Sequence, residues 1–151
     1  MKNGLLSIGM TALLLCACQT GVGEEDVFKH QDTYLGDNSE VLAIVDKLQH
    51  AKQFDSMKLQ TKQQPYGITL RYQTLDSIAT QQKMVIHHAT FLFTLIRNVE
   101  TMSIEFGDVT YTLTKSDLET LYDTKLSSLN NQEKVLNLLG EHEQEAIKQL
   151  L

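Results

Sequence analysis

Cysteine occurs at only two positions, 16 and 18, in a 151-residue chain that has no tryptophan and a single proline. Everything beyond Cys18 is therefore without a thiol. That excludes disulfides, thiolate metal sites and a cysteine nucleophile from the rest of the chain. Basic residues are also scarce, 13 Lys and Arg against 19 Asp and Glu, for a formal net charge of -6. Phosphate backbones repel such a domain, which argues against nucleic acid as a partner. An acidic surface is equally unsuited to docking on anionic lipid. No apolar run is long enough to cross a bilayer comfortably, since that takes roughly 20 residues. The apolar content of 42% is that of a globular chain.

What the N-terminus does have is a signal. Lys2 precedes an apolar stretch from Leu5 to Leu15, the proportions of a secretory signal peptide. The stretch runs into Leu15-Cys16-Ala17-Cys18, which resembles the lipobox of bacterial lipoproteins. Cys18 fits the modified position better than Cys16, because the small residue Ala17 precedes it and bulky Leu15 precedes Cys16. The resemblance implies cleavage after Ala17 and lipid, including palmitate-type acyl chains, on Cys18. Such an anchor supplies the two or more chains that stable attachment needs. Residues 1–17 are thus expected to be a signal peptide. Residues 18–33, with Gly, charge and no apolar period, are expected to form a flexible tether, and residues 34–151 a single domain.

Within that domain the apolar spacing alternates between two periods. Asp37, Asn38 and Ser39 open a helical run through Val41, Ile44, Val45 and Leu48. Phe54–Thr61 and Ile68–Tyr72 alternate as strands around the turn composition Gln63-Gln64-Pro65-Tyr66-Gly67. The strongest helical pattern covers Gln81–Asn98, with a wide apolar face suited to lie on a sheet and Asn98 as its C-terminal residue. Met102–Phe106 and Val109–Leu113 alternate around Gly107-Asp108, a second hairpin. Thr114 with Asp117 reads as a cap opening a short helix through Leu121. Asn130 or Asn131 caps a last helix that Gly140 is expected to break. The resulting expectation is an α+β fold in the order α-β-β-α-β-β-α-α. Its antiparallel sheet of about four strands, in two hairpins, would be covered by helices.

Several segments together carry a family resemblance: Tyr34-Leu35-Gly36-Asp37-Asn38-Ser39, Pro65-Tyr66-Gly67-Ile68, Ala89 through Ile96 with Asn98-Val99, and Tyr111-Thr112-Leu113-Thr114. In this order and spacing they resemble the domain-of-unknown-function family forty-eight twenty-five, over roughly Tyr34 to Tyr122. The family occurs in bacterial lipoproteins and beside membrane-bound sensor segments. It implies the outer leaflet of the cytoplasmic membrane in a single-membrane envelope; in a two-membrane host, Gln19 and Thr20 after Cys18 include no retaining Asp, and an outer-membrane destination is expected. It supplies no catalytic residue.

The chemistry-bearing residues have bland explanations. Neighbours on a helix diverge by about 100°, so His87 and His88 should not share a metal ion, and one is expected in the core with the other in solvent. His142-Glu143 begins like a zinc-protease helix motif, but Ala146 stands where the second histidine belongs. Asp32, Asp37, Asp76, Asp108, Asp117 and Asp123 all fall at expected turns or caps. No nucleophile elbow, P-loop or Gly-rich dinucleotide turn occurs. No catalytic residue, cofactor or metal ligand is therefore assigned. The loop residues Tyr34, Asp37, Asn38 and Tyr66 form a candidate binding rim, because ring-bearing loop side chains are frequent anchors. The expectation is a non-enzymatic binding or accessory module, held to the membrane by its lipid and meeting an envelope or membrane-sensor protein. The alternative is an envelope hydrolase or small-ligand carrier with an unrecognised site.

Overall fold

The computed structural model describes residues 24–151; the expected signal peptide and Cys18 lie outside the described residues. The chain begins with a 3-10 helix, Glu24–His30, followed by α1 (Asn38–Val45), β1 (Phe54–Gln60), β2 (Gly67–Tyr72) and α2 (Ile78–Leu95). It continues through β3 (Thr101–Phe106), β4 (Val109–Thr114), α3 (Lys115–Tyr122) and α4 (Gln132–Leu150). This is an α+β architecture, with the four strands side by side in chain order.

The sheet is mixed, which corrects the expectation of a purely antiparallel one. β1–β2 and β3–β4 are antiparallel hairpins, but β2 and β3 run parallel, with Gly67 opposite Thr101 and Tyr72 opposite Phe106. The cause is α2. At a rise of about 1.5 Å per residue, a helix of 18 residues carries the chain back along the full length of β2, so β3 starts at the same end. Two hairpins joined through such a crossover must meet as a parallel pair.

One face of the sheet carries Ile68, Leu70, Tyr72, Met102, Ile104, Phe106 and Leu113, all buried. The other carries Ser56, Lys58, Thr69, Arg71, Ser103, Glu105, Thr110 and Thr112 and, among the described residues, has no helix over it; Arg71 and Glu105, opposite each other, are 2.7 Å apart. α2 lies against the apolar face and is itself enclosed, every residue from Met84 to Leu95 being buried. His88 reaches Tyr72 of the sheet. Thr90, about 200° further round the helix, meets Tyr122 of α3. The structure is thus sheet, central helix, and an outer group formed by α3, α4 and the N-terminal segment. A helix apolar on every side is one that folding encloses on every side.

Packed structure is seen seven residues before the expected domain boundary at Tyr34. Val27 is fully buried, and Phe28 meets Phe91 edge to face at 6.5 Å. Thr33 N donates to Leu95 O, and Arg97 N donates to Thr33 O, at 3.1 and 2.8 Å. Leu35 N donates to Asn98 Oδ1 at 2.7 Å. Residues 27–35 are therefore a strap across the end of α2, and residues 27–33 are not a tether. Asn98 fastens that strap; α2 itself ends at Leu95, with Ile96 as its cap. The last helix is also continuous through Gly140, because the helix backbone tolerates an isolated glycine at a cost of about 1 kcal/mol.

Candidate functional site

The end of the sheet where β2 and β3 begin is locked by backbone. Tyr66 N donates to Glu100 Oε2 at 3.0 Å, while Tyr66 O accepts from Glu100 N and Thr101 N at 2.9 and 3.2 Å. Gln60 Nε2 donates to Pro65 O at 3.0 Å, and the Gln64–Pro65 peptide is cis. Gly67 permits a close approach here: a Cβ at that position would overlap Thr101 Oγ1 and force it to shift. On the far side Lys115 N donates to Glu100 O at 2.9 Å, and Thr114 caps α3 by accepting from Asp117 N at 3.2 Å.

Between the proline turn and the first turn of α3 lies a cleft of about 470 Å³, walled by Pro65, Thr101, Thr114 and Ser116, with Glu100, Lys115 and Glu119 supplying charge. Its two carboxylates are occupied internally. Glu100 holds Tyr66 N, and Glu119 accepts from Lys125 Nζ at 2.8 Å and from Leu126 N at 3.0 Å. Lys115 is different. Its ammonium is within ion-pair distance of no carboxylate among the described residues, although Glu119 acts on it from farther off. Burial lowers its pKa from the usual lysine value, against the pull of Glu119 and with a further push from Lys125. A half-buried ammonium beside hydroxyls suits recognition of a carboxylate or carbonyl group.

The sequence-predicted rim is brought to this neighbourhood in part. Tyr34 is 55% exposed, with the Arg97 guanidinium 5.8 Å above its ring. Tyr66 is half-buried. Both are attached to the Ile96–Thr101 connection, Tyr34 through Arg97 at one end and Tyr66 through Glu100 at the other. Asp37 accepts from Glu40 N at 3.2 Å as the cap of α1, and Asn38 is that helix's first, exposed residue. Glu100, Lys115 and Glu119 carried no signal in the sequence. Only the parallel β2–β3 join, which puts Thr101 opposite Gly67, sets them beside the proline turn.

The paired histidines correct an expectation. His87 and His88 are both buried, at 4% and 0% exposure. Their side chains do diverge, but α2 has no solvent side for either to reach. His88 Nε2 lies 3.1 Å from Tyr72 Oη. Burial holds the His88 pKa well below the usual histidine value, helped by His87 and His50 and opposed by the Met84 carbonyl. Burial raises the Tyr72 pKa, and Asp46 adds to the rise. Among the described residues no three His, Asp or Glu side chains converge to hold a metal ion. His142 packs against the Tyr122 ring at 5.4 Å, and Glu143 lies 3.6 Å from Lys83.

The profile of the family described as Domain of unknown function (DUF4825) matches residues 27–117. The chain belongs to this family. The matched region of this DUF4825 member begins at the buried Val27 and includes the strap, the whole sheet and α2. It also takes in the cleft up to Ser116, whereas α4 and Glu119 lie beyond it. No curated protein and no solved structure matches the chain.

Proposed function

We propose that this DUF4825 protein is an extracytoplasmic lipoprotein, anchored through Cys18, whose domain is a non-enzymatic module binding a protein or other component of the cell envelope. The lipobox Leu15-Cys16-Ala17-Cys18 carries the reading, since both cysteines of the chain fall inside it. The binding part is supported by the cleft beside Tyr66, where Lys115 has a charge to offer and its neighbours do not. Among the described residues no helix is long and apolar enough to cross a membrane. Intact-mass measurement of the protein from its native membrane, beside a Cys18→Ala variant, tests the anchor. Acylated Cys18, with the variant released or left uncleaved, is the expected result; an unmodified soluble protein would sink the reading. Recovery of the same envelope component by the mature domain in repeated pull-downs tests the module.

A small-ligand carrier is the second reading. At about 470 Å³ the cleft falls within the roughly 300–1,000 Å³ typical of ligand sites. A rise in melting temperature with a carboxylate-bearing small molecule, lost in Lys115→Gln, would favour it over a protein partner.

A further inference from the structure

The structure shortens the leash on which an anchored domain would hang. With the first described buried side chain at Val27, nine residue steps separate packed structure from Cys18. Fully extended, these span at most about 32 Å. A domain of this size has a radius of gyration of about 14 Å, so it measures about 35 Å across. The leash is thus shorter than the domain, and the side opposite Val27 cannot be turned to the bilayer.

The side that can is the helical one. The Glu24–His30 turn packs against α1 and α4, and its Phe28 against α2, all on the apolar side of the sheet. The same region holds most of the large apolar side chains left in water. Five such side chains occur among the described residues. Tyr34 of the strap, Leu42 of α1 and Leu136 of α4 are three of them, at 55%, 36% and 40% exposure. Ring-bearing and aliphatic side chains of this kind favour the headgroup boundary.

We propose, resting on the reading that Cys18 is lipidated, that the domain lies with its N-terminal turn, α1 and α4 against the bilayer, and with the open Ser/Thr face of the sheet directed away from it. The bilayer is the occupant of the helical face. Charge does not hold it there, because the turn starts Glu24-Glu25-Asp26 and an anionic surface would repel it. The leash does.

Fluorescence energy transfer tests the orientation. Lys29→Cys in the turn and Thr110→Cys on the open sheet face are each labelled with a thiol-reactive dye. Acylation consumes the Cys18 thiol, and Cys16 leaves with the signal peptide, so the dye has one target. The acylated proteins, purified from native membrane, are placed in phosphatidylcholine vesicles carrying a headgroup acceptor dye. Transfer from position 29 is expected to exceed that from position 110 several-fold. Equal transfer, or the reverse order, in protein whose mass confirms acylation overturns the orientation alone. Protein that proves unacylated overturns the orientation and the anchor together.

Discussion

The Tyr72 hydroxyl and His88 Nε2 lie 3.1 Å apart where β2 meets α2, in the middle of the core. A histidine fully enclosed in this way must be neutral to stay folded comfortably, and burial is the main cause of its lowered pKa. The unfolded chain binds its proton near pH 6.5, whereas the folded one resists until well below that. Stability from this group is therefore complete above about pH 6.5 and is lost as the pH falls further. Urea unfolding at pH 7 and pH 5 should show the loss. His88→Gln, which keeps a hydrogen-bonding side chain but does not titrate, should lose less between the same two values. Parallel pH profiles for the two proteins would refute this role.

Tyr122 offers a related test on the other side of α2. The Thr90 hydroxyl donates to Ile86 O at 2.8 Å, so its bond with Tyr122 Oη at 3.0 Å has Tyr122 as donor. Tyr122→Phe should cost about 1 kcal/mol, since Thr90 keeps a partner and no buried donor is stranded. Thr90→Val strands the tyrosine hydroxyl and should cost more, about 1–3 kcal/mol. Adding Tyr122→Phe to Thr90→Val should then recover part of the loss. A strictly additive pair would show that the hydroxyls do not interact.

The legible parts of this fold were those written in local spacing. The alternation around Gly107-Asp108 and around Pro65-Tyr66-Gly67 placed all four strands, and the caps Asp37, Thr114 and Asn131 opened the helices as their side chains suggested. Relations between distant segments were not legible. Nothing local states that β2 and β3 run parallel, yet that pairing brings Glu100 beside Tyr66 and sets Gly67 against Thr101. Lys115 likewise reads as any charged residue after a strand; only the sheet pairing sets the start of α3 across the cleft from Pro65. The strap misled because Val27, Phe28 and Leu35 are too few and too irregular to show a period. They are buried one at a time by contacts with distant residues.

Val27 separates strap from tether directly. If residues 27–33 were a tether, Val27→Ala would be silent. As the side chain is fully buried, the substitution should cost about 1.5–3 kcal/mol in chemical denaturation. Removal of residues through Thr33 should cost more, because it also takes away the hydrogen bonds of Thr33 with Leu95 and Arg97. Unchanged stability in both variants would restore the longer tether and remove the basis for a short leash.

Gly67 tests the close approach that shapes the cleft. In Gly67→Ala the new methyl meets Thr101 Oγ1, which must rotate or be displaced, at an expected cost of about 1–3 kcal/mol. Thr101→Ala removes that atom, so the double variant should regain most of the loss. A double variant as unstable as Gly67→Ala alone would place the strain in the backbone, against the Thr101 carbonyl that would lie 3.4 Å from the methyl.

The cleft makes the last prediction, and it distinguishes binding from architecture. The Lys115 ammonium forms no ion pair among the described residues, so removing its charge should leave the fold nearly untouched. Lys115→Gln is expected to unfold within about 0.5 kcal/mol of the parent, the usual range for a surface change. Glu100→Gln is expected to be costlier, because Tyr66 N loses an ionised acceptor for a neutral one. If the cleft is the binding surface, Lys115→Gln should lower recovery of the envelope component several-fold while stability stays constant. Tyr34→Ala, at the other end of the Ile96–Thr101 connection, should then matter less. The opposite ranking, with Tyr34→Ala abolishing capture and Lys115→Gln neutral, would move the binding surface to the Arg97–Tyr34 side of the domain and leave the Lys115 cleft without a role in it.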